Sequence, residues 1–404
     1  LAVTTETSYL VDGPPNGFRL QRCYYPTDVG TLGELPLVVI SHGNGHQYTW
    51  YDWLGQHLAS WGYIVISHQN NTVPGIASAS TTTLEHTQAF IDQHPEIDGG
   101  ILEGHLDANT IVWIGHSRGG EGIVRAYDRI FDGTFTPTNY GAEDIVLMAS
   151  IAPTDFLGTN SANPHSVPYH LVYGAADGDV CGCPNNDVAD SFNLFERADA
   201  WRQSSYLHGA DHNDFNCCGF NDFNGPSGTE LGRAQVQRVA RGTFLTVVKN
   251  QVEGSVAARD YLFRPNESTR PGGVSPDAIV VNDLVEPTAP DVRIVDDYQN
   301  GNSTAESSSG GAVAFDLSDV TEADLNDENT NFTWFASDEM NGMTRGRASD
   351  DERGVVFSYN GPAFYEWEVI ESFRDLSEYG WLSLRAAQIT RHPSTTGNLT
   401  FSVT

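Results

Sequence analysis

The chain has 404 residues, of which 39% are hydrophobic, and it carries a formal net charge of −32. This length and composition favour two packed domains over a disordered chain. The sequence has no cluster of Lys and Arg that could bind phosphates, so nucleic acid is not an expected partner. The sequence also has no run of 18 apolar residues, and we therefore expect no membrane span.

Strand and helix patterns alternate through the first two thirds of the chain. Short apolar runs with polar or glycine boundaries predict buried strands, and amphipathic stretches between them predict helices. The strand runs are residues 37–40, 63–66, 111–114, 145–148 and 170–173, and the helical stretches are residues 50–61, 84–94 and 121–131. This alternation predicts a mainly parallel sheet with helices on both faces.

A stretch rich in Pro and Gly predicts a domain boundary. We interpret residues 265–276 as a linker between a domain of residues 1–264 and a smaller one of residues 277–404. The last 128 residues carry 23 Asp and Glu but 7 Lys and Arg, which is half of the net charge in about a third of the chain. Their short β-branched and aromatic segments predict an acidic all-β sandwich.

The strongest motif is Gly115-His116-Ser117-Arg118-Gly119. It follows the predicted strand 111–114 directly and precedes a predicted helix. A G-x-S-x-G pattern in this context predicts a nucleophile elbow, which exposes a serine hydroxyl at the carboxyl edge of the sheet. Ser117 is therefore the predicted nucleophile.

A serine nucleophile needs a histidine base and a carboxylate that orients the histidine. In folds with a nucleophile elbow, these residues occur along the chain in the order serine, acid, histidine. The loop after the fifth strand run offers Asp177 as the acid and Asp179 as the runner-up. Asp155, after the preceding strand, is a weaker third candidate. His212, after the last predicted strand, is the predicted base, whereas His208 is expected to be structural.

The negative charge that develops on a carbonyl oxygen needs two preorganised N–H donors. The predicted donors are the amides of Arg118, at the start of the helix, and Asn44, in the loop after the first strand run. We expect the Arg118 side chain to pair with Glu121 along the helix. Four side chains just past the loop are predicted to bind substrate, namely His46, Tyr48, Trp50 and Trp53.

Residues 38–45 and 53–66, together with the elbow, carry a family resemblance. The stretch resembles bacterial cutinases and polyester (PET) hydrolases, dienelactone-hydrolase-like enzymes and platelet-activating-factor acetylhydrolases, and the elbow is similar to that of chlorophyllases. The resemblance covers roughly residues 18–250. It implies an α/β-hydrolase fold and a secreted serine carboxylic-ester hydrolase that works through an acyl-enzyme, with polyesters among its candidate substrates. Cutinases usually have Met where this chain has Arg118, and Tyr or Phe where it has Asn44.

Four of the five cysteines lie near the predicted acid and base. Cys181 and Cys183 follow the acid loop, and Cys217 and Cys218 follow His212. Because acid and base must lie within hydrogen-bonding distance, these loops should be neighbours, and we expect one or two disulfides between the pairs. A vicinal Cys217–Cys218 bond and a zinc site are the alternatives, and Cys23 is left over. Disulfides indicate an oxidising compartment, so a secreted or periplasmic protein is expected.

The predicted C-terminal domain gives weaker signals. Trp334, Trp367 and Trp381 could form a flat sugar- or polymer-binding face, although sandwich core is the more common role of such residues. The acidic turn at residues 324–329 offers oxygen ligands for Ca²⁺ but lacks the EF-hand register. We expect no other cofactor, and we expect a monomer.

Other functions with the same residues stay open at this stage. A lipase, an acetylhydrolase or an amidase of the same fold would use the same triad. A catalytically silent polymer-binding protein is the rival from outside enzymology. The complete set of Ser117, Asp177 and His212 favours an enzyme.

Overall fold

The computed structural model describes residues 1–158, 160–180, 191–263, 270–276, 278–286, 292–298, 303–324, 353–380, 382–384, 386 and 396–404. These residues form two compact units, one ending at Glu286 and the other made of the described residues beyond it. Within these ranges no helix is both long and apolar enough to cross a membrane.

The first unit is built on one sheet, in which nine strands are described. They are β1 (Val3–Tyr9), β2 (Leu20–Pro26), β3 (Leu35–Ser41), β4 (Ile64–His68), β5 (Leu106–His116), β6 (Ile145–Ile151), β7 (Tyr169–Gly174), β8 (Arg202–Leu207) and β9 (Val280–Val285). Their order across the sheet is β1-β2-β4-β3-β5-β6-β7-β8-β9. The strands from β3 to β8 are parallel, and β1, β2 and β9 add antiparallel edges.

The central strands are buried on both faces. Residues 37–40 of β3 and 111–114 of β5 are at most 1% exposed, as continuous Val, Ile and Leu runs predict for parallel strands covered by helices. All five strand runs expected from the sequence fall on β3 to β7. The predicted α/β-hydrolase fold, with a mainly parallel sheet, is confirmed.

Six α-helices are described around this sheet: α1 (Asp52–Ala59), α2 (Ile76–Gln93), α3 (Arg118–Phe131), α4 (Ser191–Glu196), α5 (Arg233–Glu253) and α6 (Val256–Phe263). In α5 the buried positions 236, 239, 240, 243, 244, 247 and 248 recur every three or four residues, which is the spacing of one apolar helix face. The helix α3 begins directly after Ser117 and contacts β3, β5 and β6. The fold therefore places the G-x-S-x-G motif at the carboxyl edge of the central strands.

The first compact unit extends about ten residues beyond the predicted start of the second domain. Strand β9 lies beyond the expected start of the second domain, yet it pairs antiparallel with β8 throughout its length. The described part of the expected linker packs on α5, where Arg238 Nη1 donates to Gly273 O at 3.0 Å and the Ser275 amide to Gln235 Oε1 at 2.9 Å. Covering the edge of β8 removes an exposed strand edge, so the first unit continues to Glu286.

In the second unit, the described residues hold two small antiparallel sheets. Strand β10 (Val313–Phe315) pairs with β13 (Tyr365–Trp367), and β11 (Ser318–Asp324) pairs with β12 (Arg353–Ser358). This agrees with the all-β prediction. Trp367 Nε1 donates to Asp296 Oδ2 at 2.8 Å, and its ring packs edge-on against Tyr365, so this tryptophan makes contacts inside the unit.

Three features predicted for this unit lie outside the residues that the structure describes. They are Trp334, Trp381 and the acidic turn after Asp324. In the part of the chain that the structure describes, no three His, Cys, Asp or Glu side chains are grouped so that they could hold a metal ion.

Candidate active site

Ser117 lies in a strained turn between β5 and α3. Its backbone has φ 56° and ψ −127°, a left-handed conformation that is uncommon for any residue except glycine. A Cβ on Gly115 would collide with the carbonyl of Gly119, and one on Gly119 with the carbonyl of Ser41. The two glycines of the motif thus let the turn press against α3 and β3, and this holds the serine in the elbow conformation.

His212 and Asp177 form a buried hydrogen-bonded pair. His212 Nδ1 donates to Asp177 Oδ2 at 2.8 Å, and both side chains are at most 1% exposed. The other oxygen of Asp177 accepts the amides of Asp179 at 2.9 Å and Val180 at 2.7 Å. The carboxylate is therefore fixed by two backbone donors and fixes the imidazole in turn, an arrangement in which Nε2 can exchange a proton.

The other two candidate acids occupy different places. The Asp179 side chain is 58% exposed, and its Oδ2 lies 3.6 Å from His212 Nε2, on the opposite side of the ring from Asp177. Asp155 is buried in an ion pair with Arg197, whose Nη1 lies 2.8 Å from Asp155 Oδ1. Asp177 is thus the one of the three candidates that contacts the Nδ1 atom.

Opposing influences act on the pKa of His212. Burial is the largest of them and opposes protonation, but the carboxylates of Asp177, Asp179 and Asp222 together outweigh it, so the pKa lies above its usual value. Within the described residues, His212 Nε2 is buried and has no hydrogen-bond partner. In enzymes without substrate, the catalytic hydrogen bonds are often unformed and tighten in the complex.

The loop that holds the candidate oxyanion donor Asn44 packs against Ser117. A Cβ on Gly43 would lie 2.8 Å from the Ser117 Cβ, so the backbone just before Asn44 approaches the serine closely. Thr72 connects the two predicted donor residues, since its hydroxyl donates to Asn44 Oδ1 at 3.2 Å and its carbonyl accepts from Arg118 Nη1 at 3.0 Å. The side chains of Asn44 and Arg118 are therefore held near each other by Thr72.

The expected Arg118–Glu121 pair does not form. Glu121 is fully buried, and it accepts hydrogen bonds from the Thr154 hydroxyl at 2.6 Å and from the amides of Phe156 and Leu157 at 3.0 and 2.7 Å. The carboxylate faces the loop after β6 because that loop supplies three donors. The Arg118 guanidinium lies instead over the Phe156 ring, 5.6 Å from its centroid.

Of the four predicted substrate-binding residues, His46 lies beside His212 and Trp50 lies beside His46. The His46 ring is 6.4 Å from that of His212, and Trp50 is 5.2 Å from His46. Trp53 Nε1 donates to Phe215 O at 3.3 Å and its ring lies under Arg241, while the Tyr48 carbonyl accepts the Ser67 hydroxyl. The Trp53 side chain thus contacts the protein itself, whereas the Tyr48 bond involves only its backbone, and substrate binding by the Tyr48 side chain stays a prediction.

A hydrogen-bonded chain through the buried Tyr51, with His46 and His116 on either side, was not foreseen from the sequence. The Tyr51 hydroxyl lies 2.8 Å from both His46 Nδ1 and His116 Nδ1. Burial lowers the pKa of both histidines, that of His46 to about 3, so both are neutral at pH 7. The position of His116 in the motif was the one available signal, since nothing in the local pattern marks Tyr51.

The cysteines pair differently from the main expectation. Cys217 is bonded to its neighbour Cys218, the vicinal alternative, so neither can form a disulfide to the acid loop. Cys181 and Cys183 lie outside the described residues. Cys23 is a buried thiol in β2. The vicinal bond lies near Trp50, whose carbonyl accepts the Cys217 amide at 3.1 Å.

Comparisons with known proteins agree with this architecture. Residues 2–131, which include the Asn44 loop and the elbow, match the PETase family, described as PET hydrolase-like. Cutinase est2 of Thermobifida alba is 27% identical over 161 residues, which are 38% of this chain and 52% of that protein. Cutinase 2 of Thermobifida cellulosilytica is 29% identical over 110 residues, 27% of this chain and 40% of that protein.

The alignments span about half the length of the relatives, or less. The matched family segment ends before Asp177 and His212. The choice of these two residues as candidate acid and base therefore depends on the geometry of the site alone. The fold, the elbow and these relatives agree with one another. The chain is an α/β-hydrolase-fold protein that resembles the PET hydrolase-like family and the cutinases.

Proposed function

We propose that this protein is a serine carboxylic-ester hydrolase with Ser117, His212 and Asp177 as its triad. The observation that carries the proposal is the buried His212–Asp177 hydrogen bond of 2.8 Å in a fold that also holds Ser117 in a strained elbow. A serine nucleophile requires a histidine base, and a buried carboxylate that orients the imidazole by a hydrogen bond meets this requirement. The cutinase relatives support an ester as substrate.

The reaction follows from the roles of these groups. Ser117 Oγ attacks the ester carbonyl while His212 Nε2 takes its proton, and Asp177 stabilises the imidazolium that forms. The amides of Asn44 and Arg118 hold the developing oxyanion. His212 then gives the proton to the leaving alcohol, which leaves an acyl-enzyme on Ser117. Water, deprotonated by His212, releases the carboxylic acid and frees the serine.

Polyesters are the candidate natural substrates, as the PET hydrolase-like family and the cutinases suggest. His46, whose ring lies beside that of His212, and Trp50, whose ring lies beside that of His46, are the proposed contacts for the substrate. The vicinal disulfide supports an oxidising compartment and therefore a secreted or periplasmic enzyme.

A matched pair of substrates tests the reaction class. We expect the protein to hydrolyse p-nitrophenyl butyrate, and to hydrolyse the anilide of the same acid far more slowly. Amide hydrolysis requires protonation of a poorer leaving group, for which an esterase site is not built. Release of p-nitrophenol and p-nitroaniline is measured at equal concentrations. Faster cleavage of the anilide would indicate an amidase, and cleavage of neither would favour a binding protein.

The choice between Asp177 and Asp179 is open to a direct test. Because Asp177 alone contacts His212 Nδ1, Asp177→Asn is expected to lower kcat by about 10³- to 10⁴-fold, as loss of the orienting carboxylate does in other triads. Asp179→Asn is the matched control, and we expect it to change kcat by less than about tenfold, since its carboxylate is exposed. Steady-state kinetics on one ester measures both, and the reverse ranking would assign the acid to Asp179.

A further inference from the structure

A short segment after the vicinal disulfide contacts both loops that carry the proposed acid and base. The Asn224 amide donates to Ala176 O at 2.8 Å. A Cβ on Gly178 would collide with the carbonyl of Asp222, so this backbone is pressed against the Asp177 loop. On its other side, Asp222 Oδ1 accepts the amide of Asn213, the residue after His212, at 3.1 Å. The segment thus connects the acid loop to the base loop.

We propose that Asp222 is a positioning residue, which holds the His212 loop in register with Asp177. The proposal rests on the triad assigned above and adds a second carboxylate to it. Asp222 does not touch the reacting atoms, since it acts through the backbone of Asn213. A carboxylate that accepts a backbone N–H makes a charge-assisted hydrogen bond, which is stronger and more directional than a neutral one.

The remaining hydrogen bonds of the loop explain why one carboxylate has this influence. Asp211 Oδ1 accepts the Asp214 amide at 2.6 Å, and Asp214 Oδ2 accepts the Asp211 amide at 3.3 Å, so each of these residues closes the turn around His212. Both bonds lie within the loop. The Asn213 amide bond to the Asp222 carboxylate at 3.1 Å, together with a longer bond from the Asp222 amide to Asp211 Oδ2 at 3.4 Å, fixes this turn to a segment reaching the Asp177 loop.

Arg233 of α5 fixes the far side of the same loop. Its guanidinium donates to the carbonyls of Gly219 at 2.8 Å and Cys217 at 3.0 Å, and its Nε to that of Asn213 at 3.4 Å. Asn213 is thus held from two directions, its carbonyl by Arg233 and its amide by Asp222. A change at either partner should move the neighbouring His212.

The charges around Asp222 give the proposal a second readout. Asp222 is faced by the carboxylates of Asp211 and Asp177 and by the His212 imidazole, and Arg233 faces the Asp211 and Asp214 carboxylates. Burial, followed by these neighbouring carboxylates, raises the pKa of Asp222 to about 6. Asp222 is therefore mostly ionised at pH 8, and its charge favours the protonated form of His212.

Two substitutions separate the geometric role from the charge. Asp222→Ala removes the acceptor, and we expect kcat to fall by about 10- to 100-fold with KM changed less than about threefold, because a small displacement of the base affects the chemical step. Asp222→Asn keeps an acceptor for Asn213 but removes the charge. It should lower the pKa of His212 by about 0.5 unit or more, and thereby move the acid limb of kcat/KM to lower pH.

Glu230→Gln is the matched control, because it removes a nearby but exposed carboxylate that bonds to Asn221. It should leave kcat and the acid limb as in the wild type. An Asp222→Ala protein that is folded by circular dichroism and keeps the wild-type kcat would overturn the proposal. If that variant does not fold, an unchanged acid limb in Asp222→Asn would overturn it.

The pKa of His212 can also be followed by NMR titration of its ring Cε1–H, assigned with His212→Gln. This readout needs no substrate. A lowered pKa in Asp222→Asn would support the proposed coupling even if the protein hydrolysed no ester, and an unchanged pKa would overturn it. Failure of the positioning role is thereby distinguished from failure of the esterase assignment.

Discussion

Replacing Ser117 by alanine is expected to lower kcat for a short p-nitrophenyl ester by at least about 10³-fold. The variant lacks the oxygen that forms the acyl-enzyme, while His212, Asp177 and the oxyanion donors stay in place. The chain remains folded, because alanine is smaller than serine and the elbow conformation depends on the glycines around it. Initial rates at saturating ester, together with circular dichroism, measure both parts of this expectation.

Ser227→Ala serves as the control, since Ser227 is exposed and lies outside the site. It should retain the wild-type kcat. An unchanged rate in Ser117→Ala would contradict the proposed mechanism, because turnover would then depend on another nucleophile or on direct attack by water.

Gly119→Ala is expected to be strongly destabilising. The new Cβ would collide with the carbonyls of Ser41 and His42 in β3 and the loop that follows it, and backbone cannot yield as a flexible side chain can. We expect a loss of about 3 kcal/mol in the free energy of unfolding, which corresponds to a decrease of about 6 °C or more in Tm. Activity should also fall, because α3 must move away from the loop that carries Asn44.

Gly30→Ala is the matched comparison, since a Cβ at that position meets no atom within 4 Å. Its Tm should stay within about 2 °C of the wild type, as expected for a surface substitution. Thermal melts followed by circular dichroism compare the two variants. Equal Tm values for Gly119→Ala and the wild type would contradict the close approach of the elbow to β3.

The parts of the fold that could be predicted from the sequence are those with a local signal. Residues 37–40 and 111–114 predict buried strands because an apolar run can be recognised without knowing which strands it pairs with. The elbow is predictable for the same reason, since the two glycines and the serine act within five residues. The Asp177–His212 contact follows from the order of elements in this fold once the elbow is recognised.

The features that were missed depend on partners far away in the chain. Glu121 was expected to pair with Arg118, because a helical pattern relates only residues three or four positions apart. The hydrogen-bond donors to Glu121 lie instead on the loop after β6. Strand β9 is short and follows a Pro- and Gly-rich stretch, so its pairing with β8 could not be inferred from its own residues. The contacts of Asp222 with Asn213 and with the backbone at Gly178 likewise relate two loops that no local pattern connects.

The central claim is that Ser117 is a nucleophile activated by His212. It is tested most directly by reaction with a fluorophosphonate, which forms a covalent adduct with an activated serine and mimics the tetrahedral state. Mass spectrometry of the digested protein should find one adduct on the peptide that contains Ser117, no adduct there in Ser117→Ala, and much slower labelling in His212→Ala. A wild-type protein that is not labelled, or that is labelled on another residue, would contradict the account.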